Sequence, residues 1–262
     1  MSGIHLHHWA GDPDRPALAL HCMLGNGAAW APVARALAAS GEASVDLRAF
    51  DMPGHGRSGP WMPGADDPDY HTAVTRIAAA MIDRPLDLIG HSFGATVALR
   101  IAVAAPEAVR SLTLIEPVLF AAAPSARQDA LDSHLAQLLE EGQTEEATRA
   151  FLSIWSVDGG ANLPPAAFAQ MCGQIGLVAQ TADALRRDTG RILREGGLEA
   201  IEAPVLLISG EVSPPVIPAI ADALAARLPD VGRAVVPGAG HMLPLTHPRQ
   251  VAGLIAVNLN RA

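Results

Sequence analysis

Short apolar segments alternate along the chain with longer segments in which apolar residues recur at helical spacing. The short segments predict β-strands, at residues 17–21, 45–50, 86–90, 111–116, 204–209 and 233–237. The longer segments predict the helices between them, at residues 28–40, 95–106, 218–228 and 249–259. Strands that are apolar on both faces are typical of a sheet covered on both sides. The pattern therefore predicts an α/β fold, a mostly parallel, twisted sheet with helices on both faces.

The alternation stops between residues 118 and 199, where amphipathic helical patterns follow one another without a strand. The strand pattern then returns at residue 204. We interpret residues 118–199 as a helical cap, or lid, inserted into a core of residues 1–117 and 200–262. A separate helical domain is the alternative, but a sheet pattern that resumes after the helices favours an insertion.

Composition and charge narrow the class of protein. Half of the 262 residues are apolar and 17% are charged, which is typical of a globular protein. The 27 acidic residues outnumber the 18 basic ones, and a net charge of −9 does not favour nucleic-acid binding.

The location of the protein is predicted from what the chain lacks. No apolar run reaches the length of a membrane span, and the N-terminal segment does not resemble a secretory signal. The two cysteines, Cys22 and Cys172, do not make a disulfide framework. We expect a cytoplasmic protein that does not bind membranes, and the sequence leaves its oligomeric state open.

The segment LDLIGHSFGATVAL, residues 86–99, carries the clearest chemical signal. Gly90, Ser92 and Gly94 form a G-x-S-x-G motif directly after a predicted strand and directly before a predicted helix. Glycines two residues either side of the serine allow a sharp turn that presents its hydroxyl. The helix N-terminus behind it favours developing negative charge. This context predicts that Ser92 is a nucleophile.

Three further segments resemble motifs of the α/β-hydrolase superfamily, in the order in which that family has them. Residues 21–30, HCMLGNGAAW, resemble its H-G-x-x-G…W oxyanion loop, and residues 50–59, FDMPGHGRSG, match its D-x-P-G-x-G-x-S turn. Residues 238–248, GAGHMLPLTHP, match its histidine loop. The resemblance extends from residue 17 to residue 248 and implies an α/β-hydrolase with a helical cap.

The resemblance also implies roles for individual residues. His241 is implied to be the general base, and the backbone N–H groups of Met23 and Phe93 are implied to form the oxyanion hole. Cys22 stands where the family usually has glycine, which leaves the register of the loop unchanged. No metal or organic cofactor is implied.

The acid of the expected triad is not at its usual position. A serine–histidine pair needs an acid that orients the imidazole and stabilises the imidazolium. The family usually has aspartate where this chain has Ser213, which carries no charge. Glu116, at the end of the next strand after the serine motif, is the favoured replacement, because some α/β-hydrolases carry their acid after this strand. Glu211 and a degraded triad are the alternatives.

These observations predict a serine hydrolase that cleaves a carboxylic ester or a related acyl substrate through a covalent acyl-enzyme. Its partner is a small-molecule acyl substrate; lactones and thioesters remain open as substrate classes. One alternative is a non-catalytic or weakly catalytic ligand-binding or signalling relative with a degraded triad, which the missing aspartate favours. A carbon–carbon bond hydrolase is the other alternative.

Two further sets of residues complete the sequence-based expectations. The histidines of HLHH, residues 5–8, alternate as in a first strand, and with no clustered carboxylates or cysteines nearby we expect no metal site. The predicted cap supplies four apolar side chains as candidate walls of a substrate pocket. These are Phe151, Trp155, Phe168 and Met171.

Overall fold

The computed structural model describes residues 3–262 and contains a seven-stranded sheet. The strands are β1 (Leu6–Trp9), β2 (Pro16–Leu20), β3 (Asp46–Phe50), β4 (Leu86–His91), β5 (Val109–Ile115), β6 (Val205–Gly210) and β7 (Val231–Val236). Their order in the sheet is β1-β3-β2-β4-β5-β6-β7. β1 pairs antiparallel with β3, and the other neighbouring strands are parallel. The mostly parallel sheet expected from the sequence is confirmed.

Helices connect the strands and extend into the insertion. They are α1 (Ala31–Ser40), α2 (Tyr70–Ala79), α3 (Phe93–Ala104), α4 (Ala126–Glu140), α5 (Thr144–Trp155), α6 (Pro165–Arg187), α7 (Val216–Ala225), α8 (Leu243–Thr246) and α9 (Pro248–Leu259). α2 was not among the helices predicted from the sequence. A local signal for it exists, because the side chain of Asp69 caps the helix by accepting a hydrogen bond from the Thr72 N–H.

Both faces of the sheet are buried, as the apolar strands require. Successive side chains of a strand point to opposite faces. Leu18 and Leu20 of β2 accordingly pack in a core that includes residues of α2, α3 and α7. Ala17 and Ala19 of the same strand pack on the other face, in a core that includes residues of α1 and α9.

Helices α4, α5 and α6 form an insertion between β5 and β6. They pack on one another through a small apolar cluster made of Leu135, Leu138, Ala147 and Ile175. Leu24, from the loop after β2, joins this cluster and so connects the insertion to the carboxyl ends of the strands. The insertion therefore lies over the edge of the sheet at which β4 ends and the serine motif is located.

The helical pattern ends earlier than the sequence indicated. Residues 188–193 continue the amphipathic composition of α6, yet the helix stops at Arg187. Asp188 adopts a left-handed backbone conformation, and its carboxylate accepts hydrogen bonds from the N–H groups of Ile192 and Leu193. A short polar side chain that bonds to nearby amides competes with the helix and ends it. Of the helices in residues 3–262, none has both the length and the apolar character to cross a membrane.

Candidate active site

Ser92 lies on a sharp turn between β4 and α3. Its backbone has φ 56° and ψ −117°, a conformation that non-glycine residues rarely adopt. Side chains at the flanking glycines would collide with the turn: a Cβ at Gly90 would lie 2.5 Å from the Ala95 Cα, and one at Gly94 would lie 2.4 Å from the Leu20 carbonyl oxygen. The two glycines therefore permit the turn that holds the serine above the sheet.

A continuous chain of hydrogen bonds joins Ser92, His241 and Glu116. The His241 Nε2 lies 2.9 Å from the Ser92 Oγ, and the His241 Nδ1 lies 2.9 Å from the Glu116 Oε2. All three residues are buried, and Glu116 is 0% exposed. The Nδ1–H that donates to the carboxylate selects the tautomer whose Nε2 accepts the serine hydrogen. This geometry is that of a nucleophile, a base and an orienting acid.

Glu116 is held in place by the end of the neighbouring strand β6. Its second carboxylate oxygen, Oε1, accepts a hydrogen bond of 2.7 Å from the Gly210 N–H at the end of β6. Its own N–H donates to the Ile208 carbonyl oxygen. The Glu116 backbone has a φ of 52°, and such strain costs on the order of 1–3 kcal/mol and tends to occur at functional sites. The Gly210 amide is a site group that the sequence analysis did not identify.

Neither Glu211, the alternative acid, nor Ser213, at the family's usual acid position, forms a hydrogen bond with the imidazole. Glu211 is exposed, and its Oε2 accepts a hydrogen bond of 2.8 Å from the Gly238 N–H. The Ser213 Oγ is buried and has no hydrogen-bond partner within residues 3–262. Among these three positions, Glu116 is the one in contact with the imidazole.

His91 and Trp155 fix the position of His241. The His91 Nε2–H donates a hydrogen bond of 2.8 Å to the His241 carbonyl oxygen. Burial lowers the pKa of His91 to about 3, so its imidazole is neutral near neutral pH. On the other side, the Trp155 ring meets the His241 ring edge-on, with 4.6 Å between ring centroids. The core thus holds the backbone of His241, and the insertion contacts its ring.

Neutral histidines also shape the loop that carries Met23. The His21 Nδ1–H donates to the Cys22 carbonyl oxygen, and the His21 Nε2 accepts from the Met52 N–H. The His55 Nε2 accepts from the Leu24 N–H. Burial lowers the pKa of His21 to about 3 and that of His55 to about 4, which preserves the acceptor atoms of both rings.

Phe93 and Met23, whose N–H groups the family resemblance implies for the oxyanion hole, both line a cavity beside Ser92. Phe93 is the first residue of α3, so its N–H has no partner within the helix. Met23 follows β2 and, like Ser92, lines the cavities described below. Burial raises the pKa of the neighbouring Cys22 thiol to about 12, so the thiol keeps its proton.

A cavity of about 480 Å³ lies between the core and the insertion. Ser92 and His241 line it, together with Phe151, Trp155 and Met171 from the insertion. The fourth candidate, Phe168, is not among the residues that line it. The Phe168 ring instead packs under the guanidinium of Arg149 in α5. The Arg149 Cζ lies 4.4 Å from the centroid of the ring. This cavity therefore gives no support to the expectation that Phe168 forms a wall of the substrate pocket.

A carboxylate does lie near the N-terminal histidines. The antiparallel pairing of β1 with β3 places Asp51 beside His7, and the His7 Nε2–H donates a hydrogen bond of 2.8 Å to the Asp51 Oδ1. With His5, these residues form a group whose candidate ligand atoms lie within 4.8 Å of one another. The carboxylate also accepts from the N–H groups of Gly27 and Arg57, so it is engaged in holding the D-x-P-G-x-G-x-S turn. Sequence spacing alone did not reveal this contact.

The mostly parallel sheet, its helical insertion and the serine turn between β4 and α3 are those of the α/β-hydrolase class. A sequence profile described as the alpha/beta hydrolase family matches residues 17–254, and the chain belongs to this family. As a member of this family, the protein is an esterase-like hydrolase.

Relatives with named activities include esterases and a lipase. The chain is 31% identical over 222 residues to the pimeloyl-[acyl-carrier protein] methyl ester esterase of Neisseria meningitidis serogroup A, a match that covers 81% of this chain and 67% of the relative. It is 32% identical over 158 residues to the lipase LipV of Mycobacterium tuberculosis, covering 58% of each.

Solved structures share the fold at lower sequence identity. An alpha/beta hydrolase enzyme from a Medee basin deep-sea metagenome library has a TM-score of 0.78 at 14% identity, covering 99% of this chain and 94% of that one. A thermophilic esterase from Thermogutta terrifontis has a TM-score of 0.74 at 18% identity, covering 98% and 93%.

Proposed function

We propose that this protein is a serine hydrolase that cleaves carboxylic esters through a covalent acyl-enzyme. Ser92 is the nucleophile, His241 the general base and Glu116 the acid that orients it. The N–H groups of Met23 and Phe93 stabilise the oxyanion. The observation that carries the proposal is the pair of 2.9 Å hydrogen bonds that links Ser92 through His241 to Glu116.

Acylation begins when the Ser92 Oγ attacks the ester carbonyl carbon and its proton passes to the His241 Nε2. The carbonyl electron pair moves to the oxygen, which the two N–H groups stabilise. The intermediate collapses, the bond to the alcohol oxygen breaks, and this oxygen takes the proton from His241. The acyl group is then bound to Ser92 as an ester.

Deacylation repeats these steps with water. His241 removes a proton from the water molecule as its oxygen attacks the acyl carbon, and the bond to the Ser92 Oγ breaks. The Ser92 Oγ takes the proton back, and the carboxylic acid leaves. Glu116 keeps its charge throughout and stabilises the imidazolium in both steps.

We further propose that residues 118–199 form a cap over a core of residues 1–117 and 200–262. The support is that α5 and α6 supply Phe151, Trp155 and Met171 to the cavity above the nucleophile. Such a cap excludes water from the acyl-enzyme and sets the size of substrate that enters.

The nucleophile is tested by Ser92→Ala, with Ser213→Ala as the matched control. We expect Ser92→Ala to fold normally, to lose nearly all hydrolysis of a butanoate ester and to resist labelling by a fluorophosphonate. Ser213→Ala should retain both activity and labelling, because its hydroxyl contacts no polar partner in residues 3–262. Label on a residue other than Ser92, or undiminished turnover in Ser92→Ala, would refute the proposed mechanism.

A further inference from the structure

A second, smaller cavity adjoins the nucleophile under the insertion. Ser92, Met23 and Phe93 line it from the core, and Trp155 lines both this cavity and the larger one. Further apolar walls are contributed by Val118, Phe120, Val178 and Leu185. The reacting carbon of a substrate bound to Ser92 would therefore lie between two compartments of unequal size.

The small cavity measures about 40 Å³, against about 480 Å³ for the large one. At roughly 10–15 Å³ for each water-sized group, it admits a chain of about three non-hydrogen atoms. One side of the substrate is thus short, and the other is long and apolar.

The position of His241 indicates which side is which. The alcohol oxygen must receive its proton from the His241 Nε2. His241 lines the large cavity and is not among the residues that line the small one. The alcohol therefore leaves through the large apolar cavity, and the acyl group occupies the small one.

Two polar side chains of α4, Gln128 and Asp132, line the small cavity. They lie one helical turn apart, and the Gln128 Nε2–H donates a hydrogen bond of 2.7 Å to the Asp132 Oδ1. The other carboxylate oxygen, Oδ2, is buried and has no hydrogen-bond partner within the described residues. The nearby cation, Arg186, forms its salt bridge with Asp129.

An unpaired buried carboxylate oxygen is unfavourable unless a ligand supplies a donor. Consistent with this, burial raises the pKa of Asp132 despite its hydrogen bond from Gln128 and the charge of Arg186, and Asp129 raises it further. The cavity lining contains one more unpaired buried atom among residues 3–262, the Trp155 Nε1, which is a donor. A hydroxyl group both donates and accepts, so it is complementary to either atom, whereas an ammonium group only donates.

We infer that the substrate is an ester of a short hydroxy acid with a larger apolar alcohol, and that Asp132 binds the hydroxyl of the acyl group. This inference rests on the proposed esterase function and adds a specificity-determining residue to it. Gln128 is a positioning residue, because it holds Asp132 through Oδ1 and leaves Oδ2 for the substrate.

The orientation is tested with two isomeric esters that carry the same groups on opposite sides, hexyl butanoate and propyl heptanoate. We expect kcat/KM for hexyl butanoate to be at least about ten-fold higher, because only its acyl chain fits the small cavity. A preference for propyl heptanoate would place the long chain on the acyl side and overturn the inference.

The hydroxyl preference is tested with hexyl 3-hydroxypropanoate and hexyl butanoate, whose acyl groups have the same number of non-hydrogen atoms. Each kcat/KM is divided by the rate of alkaline hydrolysis of that ester, which removes differences in intrinsic reactivity. We expect the wild type to favour the hydroxy ester by about ten-fold or more, as for a hydrogen bond to a charged acceptor. Asp132→Leu should abolish this preference and still hydrolyse hexyl butanoate.

Glu140→Leu is the matched control, since Glu140 lies on the same helix, is exposed and does not line the small cavity. It should keep the preference for the hydroxy ester. A wild-type ratio near or below one, or an undiminished ratio in Asp132→Leu, would overturn the inference and leave the esterase function intact. If Asp132→Leu does not fold, the wild-type ratio decides alone. Hydrolysis of hexyl butanoate that persists in Ser92→Ala would instead refute the underlying function.

Discussion

At the residue scale, the main question is how a serine at position 213 is compatible with the proposed catalytic triad. β5 and β6 are neighbouring parallel strands, so their carboxyl ends lie side by side at one edge of the sheet. An acid at the end of β5 reaches the same imidazole as an acid after β6. The Gly210 N–H, at the end of β6, donates to Glu116 and so orients the relocated carboxylate.

Glu116→Gln tests this relocation. The substitution keeps the shape of the side chain and removes the charge that stabilises the imidazolium. We expect kcat to fall by about two to four powers of ten, as when a triad acid is neutralised. Glu211→Gln is the control and should cost far less, because Glu211 is exposed and bonds to the Gly238 N–H. Wild-type turnover in Glu116→Gln would exclude Glu116 as the acid.

Adding an acid at position 213 provides a second measurement. Ser213→Asp alone should change kcat little, because His241 already has a carboxylate partner. In the Glu116→Gln background the same aspartate should restore part of the lost rate. If the wild type is nearly inactive and Ser213→Asp by itself raises activity about a hundred-fold, the triad is degraded and the proposal for Glu116 fails.

At the element scale, α6 places two apolar residues in different surroundings within one helical turn. Met171 lines the large cavity, whereas Phe168 packs under Arg149 on the outer side. An amphipathic pattern cannot distinguish them, because a helix that docks on a core must carry an apolar face whether or not that face contacts a ligand.

Met171→Ala and Phe168→Ala form a matched pair on this helix. Loss of the Met171 side chain removes apolar contact in the large cavity, at about 0.8 kcal/mol for each buried methylene. We expect kcat/KM for decyl butanoate to fall by about three- to ten-fold while ethyl butanoate is unaffected, and Phe168→Ala to change neither value. Equal losses on both esters in Met171→Ala would argue against a role of Met171 in the substrate pocket.

At the scale of the whole molecule, buried neutral histidines should make stability depend on pH. Burial lowers the pKa of His21 and His91 to about 3, and that of His55 and His71 to about 4. In the unfolded chain these groups titrate near 6.5, the ordinary histidine value. Below that pH the unfolded state binds more protons, so their stabilisation is complete above about 6.5 and is lost as the pH falls.

We expect the urea midpoint to be nearly constant between pH 7.5 and about 6.5 and then to decrease towards pH 5, with an upper limit of about 2 kcal/mol for each such histidine at pH 5. His71→Gln should weaken this pH dependence, because the His71 Nδ1 accepts a hydrogen bond from Arg100 that a protonated ring cannot accept. A midpoint that stays constant over this range would contradict the assignment of these histidines as neutral.

The sequence by itself determined the features that depend on residues close together in the chain. Apolar strands and helical repeats specified an α/β sheet with a helical insertion. α2 was missed although Tyr70, Ala73, Val74, Ile77 and Ala78 recur at helical spacing. The turn around Ser92 was readable because the constraint on Gly90 and Gly94 is local. The histidine loop was likewise recognisable as a short motif.

The tertiary structure alone decided which groups meet. Glu116 and His241 are 125 positions apart, and only the pairing of β5 with β6 and the Gly210 amide bring them together. The packing of α4 and α6 placed Asp132 in the small cavity and turned Phe168 away from the large one. Hydrophobic periodicity indicates which face of a helix or strand is buried. Which residues that face contacts depends on strand order, register and helix packing. These are set by contacts between residues distant in the chain.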